Sequence, residues 1–182
     1  MHALVAISLI VLAGGAEEDL APIKHQVTGL FSPDREADLQ EAFRRLPEIE
    51  LVAIDYENAE ISVRYDADKV FQNGTPEQIV ERFDNLLRNA TKHTFGIKPL
   101  RTMPLDKLEL VEIEVVGLDC KGCCLGAYEA VYKVPGVEFA TASFKIGLVT
   151  ALVDPTQTNR AALEAALMQR GVQIKAAAVE SP

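Results

Sequence analysis

The sequence predicts an α+β protein built as two ferredoxin-like βαββαβ domains in tandem, residues 22–101 and 105–178. Three observations carry this expectation. Residues 108–116 alternate apolar with acidic side chains through most of their length, the period of a half-buried strand. The elements after that strand fall in the order βαββαβ, and the same order recurs in the first half. A chain of 182 residues also accommodates two units of roughly 75 residues, each near the lower size limit for a self-sufficient core.

In the second half, Gly117 ends the first strand and a cysteine-bearing loop follows. Ala127, Ala130, Val131 and Val134 then recur at helical spacing until Pro135-Gly136 stops the helix. Residues 138–144 and 148–153 read as strands joined across Lys145-Ile146-Gly147, where Gly supplies positive φ. Thr158-Asn159 caps an Ala/Leu-rich helix over 160–169, Gly171 ends it, and 172–174 begin a last strand. In the first half, 23–28 form a strand and Gly29-Leu30 mirrors Gly117-Leu118. Ser32-Pro33-Asp34 opens a helix with Leu39, Phe43 and Leu46 on its apolar face. A hairpin over 50–56 and 60–65, a helix after Thr75-Pro76-Glu77 and a strand over 95–100 complete the unit. Residues 101–104 form a linker too short for free movement of the two halves. The fragment from Pro104 onward contains every element of its unit and is expected to fold alone.

Residues 3–12 are apolar apart from Ser8 and run into Ala13-Gly14-Gly15-Ala16, followed by Glu17-Glu18-Asp19. Ten residues cannot span a bilayer as a helix, which takes about 20. An apolar run of this length ending in small residues suits a secretory signal over 1–16, cleaved near Ala16. Export to the periplasm or outside the cell is the resulting expectation, with no stable membrane insertion after cleavage; a cytoplasmic protein with a buried first strand is the alternative. The net charge of −9 and the pI of 4.9 exclude nucleic acid as partner, since phosphate neutralisation needs clustered Lys and Arg. A basic protein surface fits better.

The chemistry concentrates in three cysteines, Cys120, Cys123 and Cys124, placed after a strand and at the start of a helix. Orphan N–H groups and the positive helix end stabilise a thiolate there, and Lys121 is expected to add a positive charge. Two intervening residues let Cys120 and Cys123 reach one ion from a single loop, and soft thiolates select soft metals such as Cu(I). Without a second pair or a neighbouring His, a closed structural zinc site is not expected. Cys124 is a candidate third ligand, but adjacent helical residues point about 100° apart, which favours a small buried thiol in the core. The loop of the first unit, Phe31-Ser32-Pro33-Asp34-Arg35-Glu36, carries no soft ligand, so that unit is expected to serve as spacer or docking surface. His25 and His93 each stand alone and read as ordinary core or surface residues.

Gly117-Leu118-Asp119-Cys120-Lys121-Gly122-Cys123 resembles the Gly-Met-Thr-Cys-x-x-Cys loop of the heavy-metal-associated domains found in copper chaperones, copper-transporting ATPases and periplasmic mercury-binding proteins. Ala127, Val131, Val134 and Gly136-Val137 fall where that family places helix-core residues and its helix-ending Gly-Val, and 149–155 resemble its third strand. The likeness covers about residues 107–177, and it extends over 22–101 by topology alone. It implies soft-metal binding by Cys120 and Cys123, with Cu(I) first and Hg(II), Zn(II) or Ag(I) as further candidates. It also implies a metal-donor or metal-acceptor partner such as a metal-transporting ATPase, and no catalytic residues. Leu118 replaces the family Met, Val172 stands where many bacterial members have an aromatic residue, and Cys124 is additional. Two other functions share the Cys-x-x-Cys spacing: a thiol–disulfide oxidoreductase, and a structural interaction module with a static disulfide.

Overall fold

In a computed structural model, residues 20–72 and 74–175 are described. The segment 1–16 expected to be an export signal therefore lies outside the described residues, as do 176–178 of the second expected unit. Among the described residues no helix is long and apolar enough to cross a membrane.

The first half comprises β1 (Ile23–Thr28), α1 (Arg35–Phe43), β2 (Glu50–Asp55), β3 (Glu60–Arg64), α2 (Ala67–Phe71), α3 (Pro76–Ala90) and β4 (Gly96–Lys98). The second comprises β5 (Glu109–Val116), α4 (Lys121–Tyr132), β6 (Val137–Ser143), β7 (Leu148–Val153), α5 (Arg160–Gln169) and β8 (Gln173–Ile174). Each half forms a four-stranded antiparallel sheet, in the orders β2-β3-β1-β4 and β6-β7-β5-β8. These are the same order, with the first strand of each unit central and flanked by its third and fourth, as the ferredoxin-like arrangement requires.

Local chemistry explains the element ends. Thr75 accepts the Gln78 N–H while the Gln78 side chain accepts the Thr75 N–H, with Pro76 at the first helical position, so α3 starts from a complete capping box. Asn159 accepts the Ala162 N–H and starts α5 in the same manner. Helix α2 is absent from the sequence reading; Asp66 nucleates it by accepting the Asp68 and Lys69 N–H groups. Gly147, at φ 62, closes the β6–β7 hairpin. Gly29 has φ 88, and a Cβ there would collide with the Thr94 carbonyl oxygen.

Two apolar cores result. The first gathers Leu39, Phe43, Ile61, Val63, Phe83 and Leu87, and His25 lies within it, its Nε2 3.1 Å from the Tyr65 hydroxyl and its ring edge-on to Phe83. The second gathers Ile113, Val131, Val149, Leu163 and Leu167, and it includes Phe31 from the first half. The second core is thus not built from residues 105–178 alone. The Phe31 carbonyl also accepts the Ala142 N–H (3.0 Å), while the Gly29 N–H donates to the Tyr128 hydroxyl (2.8 Å). Lys98 lies 5.1 Å above the Tyr132 ring and donates to the Glu138 carbonyl at 3.2 Å. Burial pushes the Tyr128 and Tyr132 hydroxyls far above their ordinary range, so both are neutral.

Candidate metal centre

The residues leading into α4 set the geometry of the cysteine loop. Strand β5 ends at Val116, and Gly117 turns the chain with φ 82. Leu118 then drops into the second core at 6% exposure, anchoring the loop from beneath. Cys120 has extended backbone and is the N-cap of α4, its Sγ accepting the Cys123 N–H at 3.1 Å. A sulfur thus takes the place that a Ser or Asp oxygen commonly occupies at a helix start, where orphan donors and the positive helix end favour negative charge.

Cys120 and Cys123 are brought together. Their Cα atoms are 5.2 Å apart and their sulfurs are bonded to each other, within the span a disulfide bridges. Cys120 is exposed and Cys123 half-buried, so the pair faces outward on a rigid helix start. Cys124 is not part of that pair. It is buried at 1% exposure among the second-core residues, and burial raises its thiol pKa, the Phe144 backbone N–H partly offsetting this. Among the described residues no group of three His, Cys, Asp or Glu side chains is placed to hold a metal. On reduction the loop offers two thiolates, Cys120 and Cys123, a pair that could hold a soft ion in low coordination.

The Lys121 ammonium pairs with Asp34 of the first half, Nζ to Oδ2 at 2.8 Å. The other oxygen of Asp34 accepts the Ser32 hydroxyl at 2.6 Å. Lys121 and then Ser32 hold the Asp34 carboxyl down to about 2, and the same pairing raises the Lys121 ammonium. The two flanks of the cysteine loop consequently differ. On one, a cavity of about 140 Å³ lies between the halves, with Phe31, Tyr56 and Phe144 on its walls and Cys124 and Lys121 also lining it. On the other, Val116, Leu118, Gly122, Cys123, Arg170 and Val172 line an open groove of about 420 Å³.

Sequence reasoning missed Asp34 and Phe31 as neighbours of the site. One signal for Phe31 was available: in the register that matches Gly29 with Gly117, Phe31 occupies the position of the exposed Asp119, and a large apolar side chain there needs something to cover it.

No protein-family model and no curated protein matches the chain. Solved structures similar to it include oxidized MerP from Ralstonia metallidurans CH34, at 24% identity and TM-score 0.36, covering 37% of this chain and 94% of that one. The CopZ metallochaperone is 19% identical with TM-score 0.36, over 37% of this chain and 100% of its own. The N-terminal domain of a potential copper-translocating P-type ATPase from Bacillus subtilis, in the Cu(I)-loaded state, is 23% identical with TM-score 0.36, over 41% and 99%.

Proposed function

We propose that this chain binds a soft heavy-metal ion, Cu(I) first, between the thiolates of Cys120 and Cys123 and hands it to a partner protein, with no catalytic chemistry of its own. One observation carries the assignment: two cysteines that reach each other sit at the exposed N-terminus of α4, the sulfur of one accepting a backbone N–H of that helix. Such a start to a helix favours thiolate over thiol, and thiolates prefer soft cations. The ion is cargo. An incoming partner thiolate meets a sulfur pair accessible from solvent, so ligands exchange one at a time without unfolding the loop. A metal-transporting ATPase or another thiolate-bearing carrier is the kind of donor or acceptor such exchange requires. Cys124 stays with the core in this account.

The two halves are read as tandem ferredoxin-like domains over 22–101 and 105–178, the first without metal ligands. Export with removal of 1–16 belongs to the same proposal. An oxidising compartment closes the sulfur pair, so loading there requires a reductant or a metal-bearing donor. The bonded sulfurs also favour a second function, thiol–disulfide exchange, in which the pair cycles without metal.

Replacing Cys120 and Cys123 together with Ser separates the two, because the hydroxyl is a hard, weak ligand. In competition against a Cu(I) chelator under reducing conditions, the full chain is expected to take up one Cu(I) and the double variant none. Equal Cu(I) uptake by the double variant would sink the site assignment. A wild type that ignores Cu(I) yet exchanges disulfides with a dithiol would favour the redox function.

A further inference from the structure

We infer that the open groove beside Cys123 is a subsite for a low-molecular-mass thiol that carries a carboxylate: its sulfur meets Cys123 and its carboxylate pairs with Arg170. The inference rests on the reading of Cys120 and Cys123 as an exchanging pair, and it names the class of thiol that enters.

The groove has the room and the charge for such a ligand. Gly122, Cys123 and Gly126 of α4 line it together with Arg170, Gly171 and Val172, around about 420 Å³. Three of these six are glycines that add no side chain, and a Cβ at Gly171 would meet nothing within 4 Å. Arg170 is the only charged residue among those that line the groove. Its guanidinium lies against α4, since a Cβ at Gly126 would stand 3.6 Å from the Arg170 Nε. Gly126 follows Cys123 by three residues, about 4.5 Å along the helix axis. Among the described residues the one charged partner of Arg170 is Glu129, Nη2 to Oε2 at 3.9 Å, and Lys133 draws on the same Glu129 oxygen at 3.7 Å. That separation exceeds hydrogen-bond length, so the fork of donors that matches a carboxylate is left to a ligand.

Cys120 is exposed, whereas Cys123 is half-buried in the groove wall. A small thiol lying in the groove therefore meets Cys123. With the two cysteine sulfurs bonded to each other, the incoming thiolate attacks the Cys123 Sγ, the bond between the cysteines breaks, and Cys120 leaves as a thiolate. That leaving group is favoured, because the Cys120 Sγ accepts the Cys123 N–H at 3.1 Å at the positive end of α4. A second small thiolate then attacks the first one's sulfur, which frees Cys123 as a thiolate and releases a small-molecule disulfide. Two small thiols thus supply the two electrons that reduce the pair. The product is the dithiolate that soft-metal binding needs.

The test is reduction of the oxidised full chain by mercaptosuccinate, 2-mercaptoethanol and cysteamine, which are anionic, neutral and cationic thiols, each at equal thiolate concentration. Wild type is compared with Arg170→Gln, Arg170→Glu and Lys145→Gln, the last a cation lining the cavity on the opposite flank. With mercaptosuccinate, Arg170→Gln is expected to react about two- to five-fold more slowly than wild type, the range for a side chain 59% accessible. The difference should shrink in ~1 M salt. With 2-mercaptoethanol the two should match. Arg170→Glu should slow mercaptosuccinate further and favour cysteamine, and Lys145→Gln should stay near wild type. Acid quenching and mass mapping should place the first mercaptosuccinate adduct on Cys123. Equal slowing with all three thiols, an equal loss in Lys145→Gln, or an adduct on Cys120 alone would overturn the inference. Cu(I) takes no part in this measurement. A chain that ignores Cu(I) but keeps the Arg170 dependence loses the metal assignment and retains this inference; one that loads Cu(I) without that dependence loses the inference alone.

Discussion

At the scale of single residues, three adjacent or nearly adjacent cysteines have two different fates. Cys120 and Cys123 are three positions apart, and the helix cap turns both outward; Cys124 is one position further on and is carried around the helix into the core, at 1% exposure. Its backbone location was legible in the sequence because 3.6 residues per turn fixes the angle between neighbours. A Ser at position 124 buries a hydroxyl in an otherwise apolar cluster. Cys124→Ser is therefore expected to lower stability by about 1–3 kcal/mol, measured by urea unfolding, and to leave Cu(I) affinity nearly unchanged. A large loss of affinity at undiminished stability would move Cys124 into the ligand set. Lys121 was legible only in part: its place between the cysteines is sequence information, whereas its partner Asp34 lies 87 positions earlier, counting 121 minus 34. No local rule reaches that far.

At the scale of elements, agreement with the sequence follows the strength of the local signal. Strand β7 and helix α5 occupy the spans expected of them, residues 148–153 and 160–169, because alternation and an Asn cap mark them sharply. Strand β4 is shorter than expected, three residues in place of six, and helix α2, at five residues, is too short to show a hydrophobic period. The loop between β1 and α1 is the element whose role was least visible. It holds the register of the cysteine loop in its own half, yet its Phe31 is spent on the other half's core. Phe31→Ala leaves a cavity there, and the expected cost is about 3–5 kcal/mol of stability, with the signals of both halves shifting together in thermal unfolding. Loss confined to the first half would mean that Phe31 does not bridge the cores.

At the scale of the whole molecule, the common order of elements in the two halves is read easily and the joint between the halves is not. The same strand order appears in both sheets, but Gly29 to Tyr128, Phe31 to Ala142 and Lys98 to Glu138 are contacts that only the assembled chain defines. With the Lys121–Asp34 pair they set one flank of the cysteine loop against the first half, while Val116, Cys123 and Arg170 line an open groove on the other flank. The central claim is that Cys120 and Cys123 hold one soft ion by two sulfurs. X-ray absorption on the reduced, Cu(I)-loaded full chain tests it most directly, at a dilution that prevents two chains from sharing an ion. Two sulfur ligands and no third are expected. Three sulfurs in that monomer, or a shell of nitrogen and oxygen, would contradict it.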